Sequence, residues 1–281
     1  MESKVGITIV EPSVEFITPK HFPNWKEGFQ GIIEECGRTC YKSEDKIKKG
    51  SAEKLLRALV KNEHMSVIEH GVFTVKFTCS RACSHQLVRH RLAAYSQESQ
   101  RFCDYSKDRH QDTVSVWNTD SDDGGEQKLL KVIMPPSIAR SCVLNGHTVY
   151  ALGSLLFVAS RQPNLQEELG SFLEKRGVED SMIQRAERWC RQKIQSYQDY
   201  LWYREEGVPS EDARFDLPNA CKTEVATTYN FRMWRHVLGH PKCGRALNKK
   251  AQWEIKQITL PVLDFFQEHI PSMFGDLGEA R

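Results

Sequence analysis

A chain of 281 residues with 40% hydrophobic and 27% charged side chains can bury a substantial core, and its composition excludes a disordered or collagen-like polymer. Thirty-nine basic against thirty-seven acidic side chains leave a formal charge of +2, too small for bulk attraction to nucleic acid or a membrane surface. No run approaches the roughly 18 apolar residues of a membrane span, and the opening Met-Glu-Ser-Lys-Val-Gly lacks the basic start and apolar stretch of a secretory signal, so a soluble cytoplasmic protein is expected.

Two β-like runs open the chain, Gly6–Val10 and Val14–Thr18, separated by a turn at Glu11-Pro12-Ser13. Phe29, Ile32, Ile33 and Cys36 share a face of a helix expected over 24–40. Ser51, after Gly50, is the expected N-cap of the next helix, in which Ala52, Leu55, Leu56, Leu59 and Val60 recur with helical spacing. Phe73, Val75, Phe77 and Cys79 then alternate with Val72, Thr74, Lys76 and Thr78, the mark of an antiparallel strand with one face packed. A helix is expected from Arg81 to Tyr95, and an exposed acidic loop over 119–126. Helical patterns follow at 137–160 and 180–205, a strand at Lys222–Tyr229, and a helix at Asn248–His269 with Pro261 as a kink or break. Helices dominate and the strands are not spaced as βαβ crossovers, which predicts an α+β (mixed α/β) fold, a small antiparallel sheet flanked by helices. The expected organisation is one domain over 1–281 with a helical or loop excursion at about 103–200.

Nine cysteines, an odd number without secretory context, argue against a disulfide framework. Cys83 and His85 supply only two ligands to any metal, so no metal site is expected. Glycine-rich dinucleotide and P-loop motifs are absent, so side chains must hold any nucleotide. Between Tyr229 and Lys256, seven Lys or Arg face Glu254 alone, a surplus suited to a small anionic ligand or to a solvated face.

The most informative stretch runs from Gln86 to Arg101, where Arg89 and Arg91 carry guanidinium forks suited to phosphate. On a helix, residues 89, 90 and 91 project about 100° apart, so they would reach different ligands or subunits. Arg89-His90-Arg91, seven residues, then Ser99 resembles the R-H-R-x7-S signature of the flavin-dependent thymidylate synthases. Four more blocks carry the resemblance: His64-Met-Ser-Val-Ile-Glu-His70, Asp212-Ala-Arg-Phe-Asp-Leu-Pro-Asn219, Asn230-Phe-Arg232 and Ala251-Gln-Trp-Glu-Ile255. Together they cover about a third of the chain.

The resemblance implies reductive methylation of dUMP to dTMP, with methylenetetrahydrofolate as carbon donor, FADH2 as hydride donor and NADPH as reductant. It implies a homotetramer with sites shared between subunits. It places Arg89, His90 and Arg91 against FAD, with Ser66, Gln97, Asn230, Arg232 and His236, and His64 near the isoalloxazine. Gln86, Arg89, Glu98, Ser99, Gln100, Arg101 and Arg214 are the implied dUMP contacts, and Arg245 the cation that activates the uracil. His70 reads as a structural histidine, and Trp234, Met233 and Trp253 as core. Three departures stand out. Gln97 lies where many members carry Glu, and His236 where many carry Asn. Arg245 falls six residues before Ala251 where five is common. These motivate a rival, a non-catalytic flavin- or nucleotide-binding scaffold; a nucleic-acid-binding module is the other, opposed by the low net charge.

Overall fold

The computed structural model describes residues 5–107, 128–139 and 180–278. The expected acidic loop and most of the 137–160 helical pattern lie outside them. In chain order the first elements are β1 (Val5–Ile9), β2 (Ser13–Phe16), α1 (Ile17–His21), α2 (Trp25–Thr39), α3 (Ser51–Lys61), β3 (Val72–Ser80), α4 (Arg81–Leu87) and β4 (Ala93–Gln97). They are followed by β5 (Lys128–Val132), α5 (Pro136–Ala139), α6 (Asp180–Glu205), α7 (Ser210–Ala213), β6 (Lys222–Asn230), α8 (Phe231–Gly239), α9 (Trp253–His269) and α10 (Pro271–Phe274). The chain divides into two compact units: Met1–Glu11 with Glu98–Lys222, and Pro12–Gln97 with Thr223–Arg281.

The second unit is built on a four-stranded sheet ordered β2-β3-β6-β4. β2 runs antiparallel to β3 and β4 antiparallel to β6. Between the two central strands, Phe231 N–H donates to the Gly71 carbonyl and the hydroxyls of Thr74 and Thr228 lie 2.8 Å apart, so this pair is antiparallel too. The small antiparallel sheet flanked by helices is thus the fold that the patterning called for. Phe73, Val75, Phe77 and Cys79 are fully buried. They pack with Trp25 and Ile33 of α2, Leu56 of α3, and Ile255, Ile258, Val262, Leu263 and Phe266 of α9. Each such aromatic or aliphatic side chain contributes roughly 1.5–3 kcal/mol by leaving water. Gly71 is required here, because a Cβ would stand 2.5 Å from the Phe231 ring.

The strand-to-helix junctions set the directions of the functional segments. Ser80, the last residue of β3, caps α4 by accepting the Cys83 N–H, and Asn230 caps α8 by accepting the Met233 N–H. Glu254 braces the first junction: its carboxylate accepts the Ser80 N–H at 2.5 Å and the Ser80 hydroxyl at 2.6 Å. Burial raises the Glu254 pKa and these hydrogen bonds oppose the rise. Gln252 caps α9 by accepting the Glu254 and Ile255 N–H groups. The Ala-Gln-Trp-Glu-Ile block therefore tethers α9 to the root of α4.

In the first unit, β1 and β5 form a parallel pair, Val5 opposite Lys128 through Ile9 opposite Val132. Its core gathers Val5, Leu130 and Val132 with Tyr197, Tyr200 and Leu201 of α6. Asp104 is buried against Arg204, Ser106 and Tyr200. Burial pushes its pKa up, but these hydrogen bonds outweigh burial and hold the carboxyl well below the usual range.

Several boundaries differ from expectation. The two opening runs join different sheets, and Ile17 and Thr18 start a helix instead of ending a strand. Gly50, at φ 78°, is the N-cap of α3, while Ser51 Oγ bonds back to Lys48. α9 begins at Trp253, not Asn248, and runs on through Pro261. The helix expected to reach Tyr95 ends at Leu87. Its freed Leu87 carbonyl accepts the Tyr95 hydroxyl, Leu92 turns the chain at φ 64°, and Ala93–Gln97 pair with β6 instead.

Glu254→Ala is expected to lose about 2–4 kcal/mol, because it strands the buried Ser80 N–H. Ser80→Ala should lose about 1–2 kcal/mol. In chemical denaturation the double variant should lose less than the sum of the two, since they share one network; strict additivity would refute the brace.

Candidate functional site

In the second unit the Arg-His-Arg segment is a turn beyond α4, not part of a helix. Tyr95 secures it, its hydroxyl donating to the carbonyls of Leu87 at 2.8 Å and His90 at 2.5 Å. With that single proton committed, the Tyr229 hydroxyl, 2.7 Å away, must donate to Tyr95 Oη. His90 is buried at 6% exposure, while Arg89 and Arg91 are exposed. Neither arginine has a carboxylate partner among the described residues.

The loop after α8 returns Arg245 to this turn. Gly244 and Leu247 N–H groups bond to the His240 and Leu238 carbonyls, and Arg245 N–H to that of Val237. A Cβ on Gly244 would lie 2.5 Å from the His240 oxygen, so glycine alone permits the closure. Arg245 Nε then donates to His90 Nε2 at 2.9 Å. Nε2 is therefore the unprotonated nitrogen, and His90 is neutral. Burial, then the positive Arg245 and His236 nearby, push its pKa down to about 4. A carboxylate in this position would neutralise the guanidinium; an imidazole aims it and leaves its charge intact.

His64 and Ser66, on the loop and turn after α3, meet Arg232 of α8 at an open cavity of about 640 Å³, with Cys40, Tyr41, Leu59, Glu63, Met65 and Val67 also in its lining. Its volume falls in the usual range for small-molecule sites. Arg232 also pairs with Glu69 at 2.6 Å. The structure thus brings three of the predicted flavin residues together. Others have internal duties. Gln97 Nε2 donates to Ser84 and Thr223 hydroxyls, Asn230 caps α8, and His236 Nε2 lies 3.4 Å from Cys243 Sγ. Gln86 is half-exposed on α4, and His70, read as structural, is exposed. Cys83 is buried whereas His85 is exposed, so they face apart. Trp234 is core as expected, its Nε1 donating to the Phe73 carbonyl.

In the first unit, Glu98 accepts from Tyr105 and Lys222, and Gln100 is buried. Ser99 Oγ accepts the Arg101 N–H. Arg101 donates through Nε and Nη2 to Glu211 at 2.9 and 2.8 Å, and Arg214 Nε donates to the Glu211 carbonyl. Two predicted phosphate-binding arginines therefore converge on Glu211, which sequence reasoning missed. Tyr95, Tyr229, Cys40 and Tyr41 were missed as well. The tyrosine pair has a signal in strand alternation; Cys40-Tyr41 has none.

Residues 24–272 match the family model described as thymidylate synthase complementing protein. The chain belongs to this family. Relatives called flavin-dependent thymidylate synthase include one from Pyrococcus furiosus, 27% identical over 83% of this chain and 70% of its own length. Another, from Mycobacteroides abscessus, is 29% identical over 95% and 87%. The crystal structure of the UMP/dUMP methylase PolB from Streptomyces cacaoi, bound with 5-Br dUMP, shares the fold at a TM-score of 0.54, with 16% identity and 96% of each chain covered.

His90 makes a pH prediction for this family member. Unfolded, its imidazole takes a proton near 6.5; folded, not until about 4. Acid therefore favours the unfolded chain as pH falls from about 6.5 towards 4. Denaturation midpoints measured across that window should fall less steeply in His90→Gln than in the parent chain; equal slopes would mean that His90 is not held neutral by the fold.

Proposed function

We propose that this chain is a flavin-dependent thymidylate synthase that methylates dUMP to dTMP. The observation that carries the proposal is the Arg245–His90 pair, a guanidinium aimed by a neutral acceptor. Uracil C5 is a weak nucleophile until negative charge develops on the ring. A preorganised cation that retains its full charge stabilises that developing charge, and it needs no rearrangement at the moment of reaction. Membership of the family and the names of its relatives support the same reading.

The donor set around the open cavity suits a flavin: apolar Leu59, Met65 and Val67 and the ring of Tyr41, with His64, Ser66 and Arg232 as polar contacts. His64, Ser66 and Arg232 would hold FAD, with the exposed Arg89 and Arg91 available to its phosphates. A flavin held there and reduced by NADPH would supply the hydride that turns the one-carbon unit donated by methylenetetrahydrofolate into the methyl group of dTMP. Asn230, Gln97 and His90 act as positioning residues, since Asn230 Oδ1, Gln97 Nε2 and His90 Nε2 are engaged within the chain.

For dUMP, Arg101 and Arg214 take the phosphate, with Ser99 fixing the Arg101 backbone. Glu211 keeps the two arginines at one place until a dianion competes for them. Gln86 is a further nucleotide contact, and Glu98 and Gln100 support the loop. A homotetramer with shared sites is part of the proposal, because symmetric interfaces let exposed arginines such as Arg89 and Arg91 reach a ligand on another subunit.

The test is NADPH-dependent formation of dTMP from dUMP and methylenetetrahydrofolate by the purified yellow protein; flavin bound without turnover would leave only the binding-scaffold reading. Arg245→Ala should keep its flavin and lose about 10²–10³-fold in kcat. Arg101→Ala should weaken dUMP binding about 10–100-fold with a smaller effect on kcat. Full activity in Arg245→Ala would remove the activating cation from the proposal.

A further inference from the structure

The segment His236-Val-Leu-Gly-His240-Pro-Lys-Cys243 gathers three side chains able to ligate a metal. Two histidines four apart lie on one face of a helix end, and a cysteine follows three residues later. Cys243 Sγ lies 3.0 Å from His240 Nδ1 and 3.4 Å from His236 Nε2, and the three ligand atoms lie within 4.8 Å of one another. A tetrahedral ion bound at the usual zinc–sulfur and zinc–nitrogen distances would set sulfur and nitrogen about 3.5 Å apart.

The arrangement is built by the backbone. α8 ends at Gly239, and His240 leaves it in an extended conformation. Gly244 then closes the loop onto the His240 carbonyl at 2.7 Å, a contact that any side chain at 244 would block. His240 Nδ1 accepts from the Lys242 and Cys243 N–H groups, both at a long 3.2 Å. Nδ1 is thus an unprotonated nitrogen facing the thiol with only weak partners, the state a metal requires of histidine.

We propose that His236, His240 and Cys243 form a site for one zinc-class divalent cation, bound through two nitrogens and a thiolate with a fourth position open to water. Hard cations such as Mg²⁺ and Ca²⁺ are disfavoured because these three side chains offer no oxygen ligand. On binding, the S–H bond of Cys243 is replaced by a sulfur–metal bond and its proton passes to solvent, with no change of oxidation state. The ion would clamp the loop to the end of α8 two residues before Arg245. Another cluster, Cys79, Cys83 and Glu254, is the internal control. It is wholly buried, and both Glu254 oxygens already accept from Ser80.

The experiment adds Zn²⁺ or Co²⁺ to the purified full-length flavoprotein, free of affinity tags, and measures stoichiometry and the visible bands of tetrahedral Co²⁺, which lie to the red of flavin absorption. One equivalent per chain is expected, with affinity at least about tenfold weaker in Cys243→Ser and in His240→Ala. Retained flavin content and circular dichroism show that the variants fold. Substoichiometric uptake would overturn the site. So would unchanged bands in both variants, or bands lost in Cys83→Ala and kept in Cys243→Ser. None of these readouts depends on turnover, so the site and the catalytic proposal can fail separately.

Discussion

The Arg245–His90 hydrogen bond is the contact that ties together the two turns of the candidate site in the second unit. A guanidinium is easily immobilised by a carboxylate, but the pair is then neutral and of little use to a developing negative charge. Here the partner is an imidazole kept uncharged by burial and by the cation itself. The interaction is self-consistent: protonating His90 would place two positive groups within 3 Å, so the fold that positions Arg245 also sets the protonation state of its partner.

That bond needs two turns to arrive from opposite ends of the second unit. One is held by tyrosine hydroxyls and by the Ser80–Glu254 brace at the root of α4. The other is held by the loop after α8, which only Gly244 allows to close. Neither turn has regular secondary structure, so their precision comes from side-chain hydrogen bonds to backbone carbonyls and from packing on the β3–β6 pair. The same loop closure brings Cys243 to His240 and His236, so an ion held there would stiffen the segment that presents Arg245.

The first unit handles its charges differently. Arg101 pairs with the Glu211 carboxylate, and Arg214 donates to the Glu211 backbone carbonyl. Exposed pairs of this kind contribute little stability. Buried Asp104, by contrast, is tied by several hydrogen bonds and belongs to the architecture.

Patterning along the chain was enough to show a small antiparallel sheet with central strands β3 and β6 and the amphipathic α3, and the five motif blocks pointed to the family, because strand alternation and helical spacing are local and each block is contiguous. The family resemblance carried by those blocks, not the patterning, singled out Arg245, Arg101, Arg214, His64, Ser66 and Arg232 as site candidates. Local pattern could not end α4 at Leu87, whose carbonyl takes a hydroxyl from β4 as well as the His90 N–H. Nor could it tell that His90 faces Arg245 or that β1 pairs in parallel with β5. Those outcomes depend on groups far apart in sequence competing for the same donor or acceptor, and only the folded chain decides which partner wins.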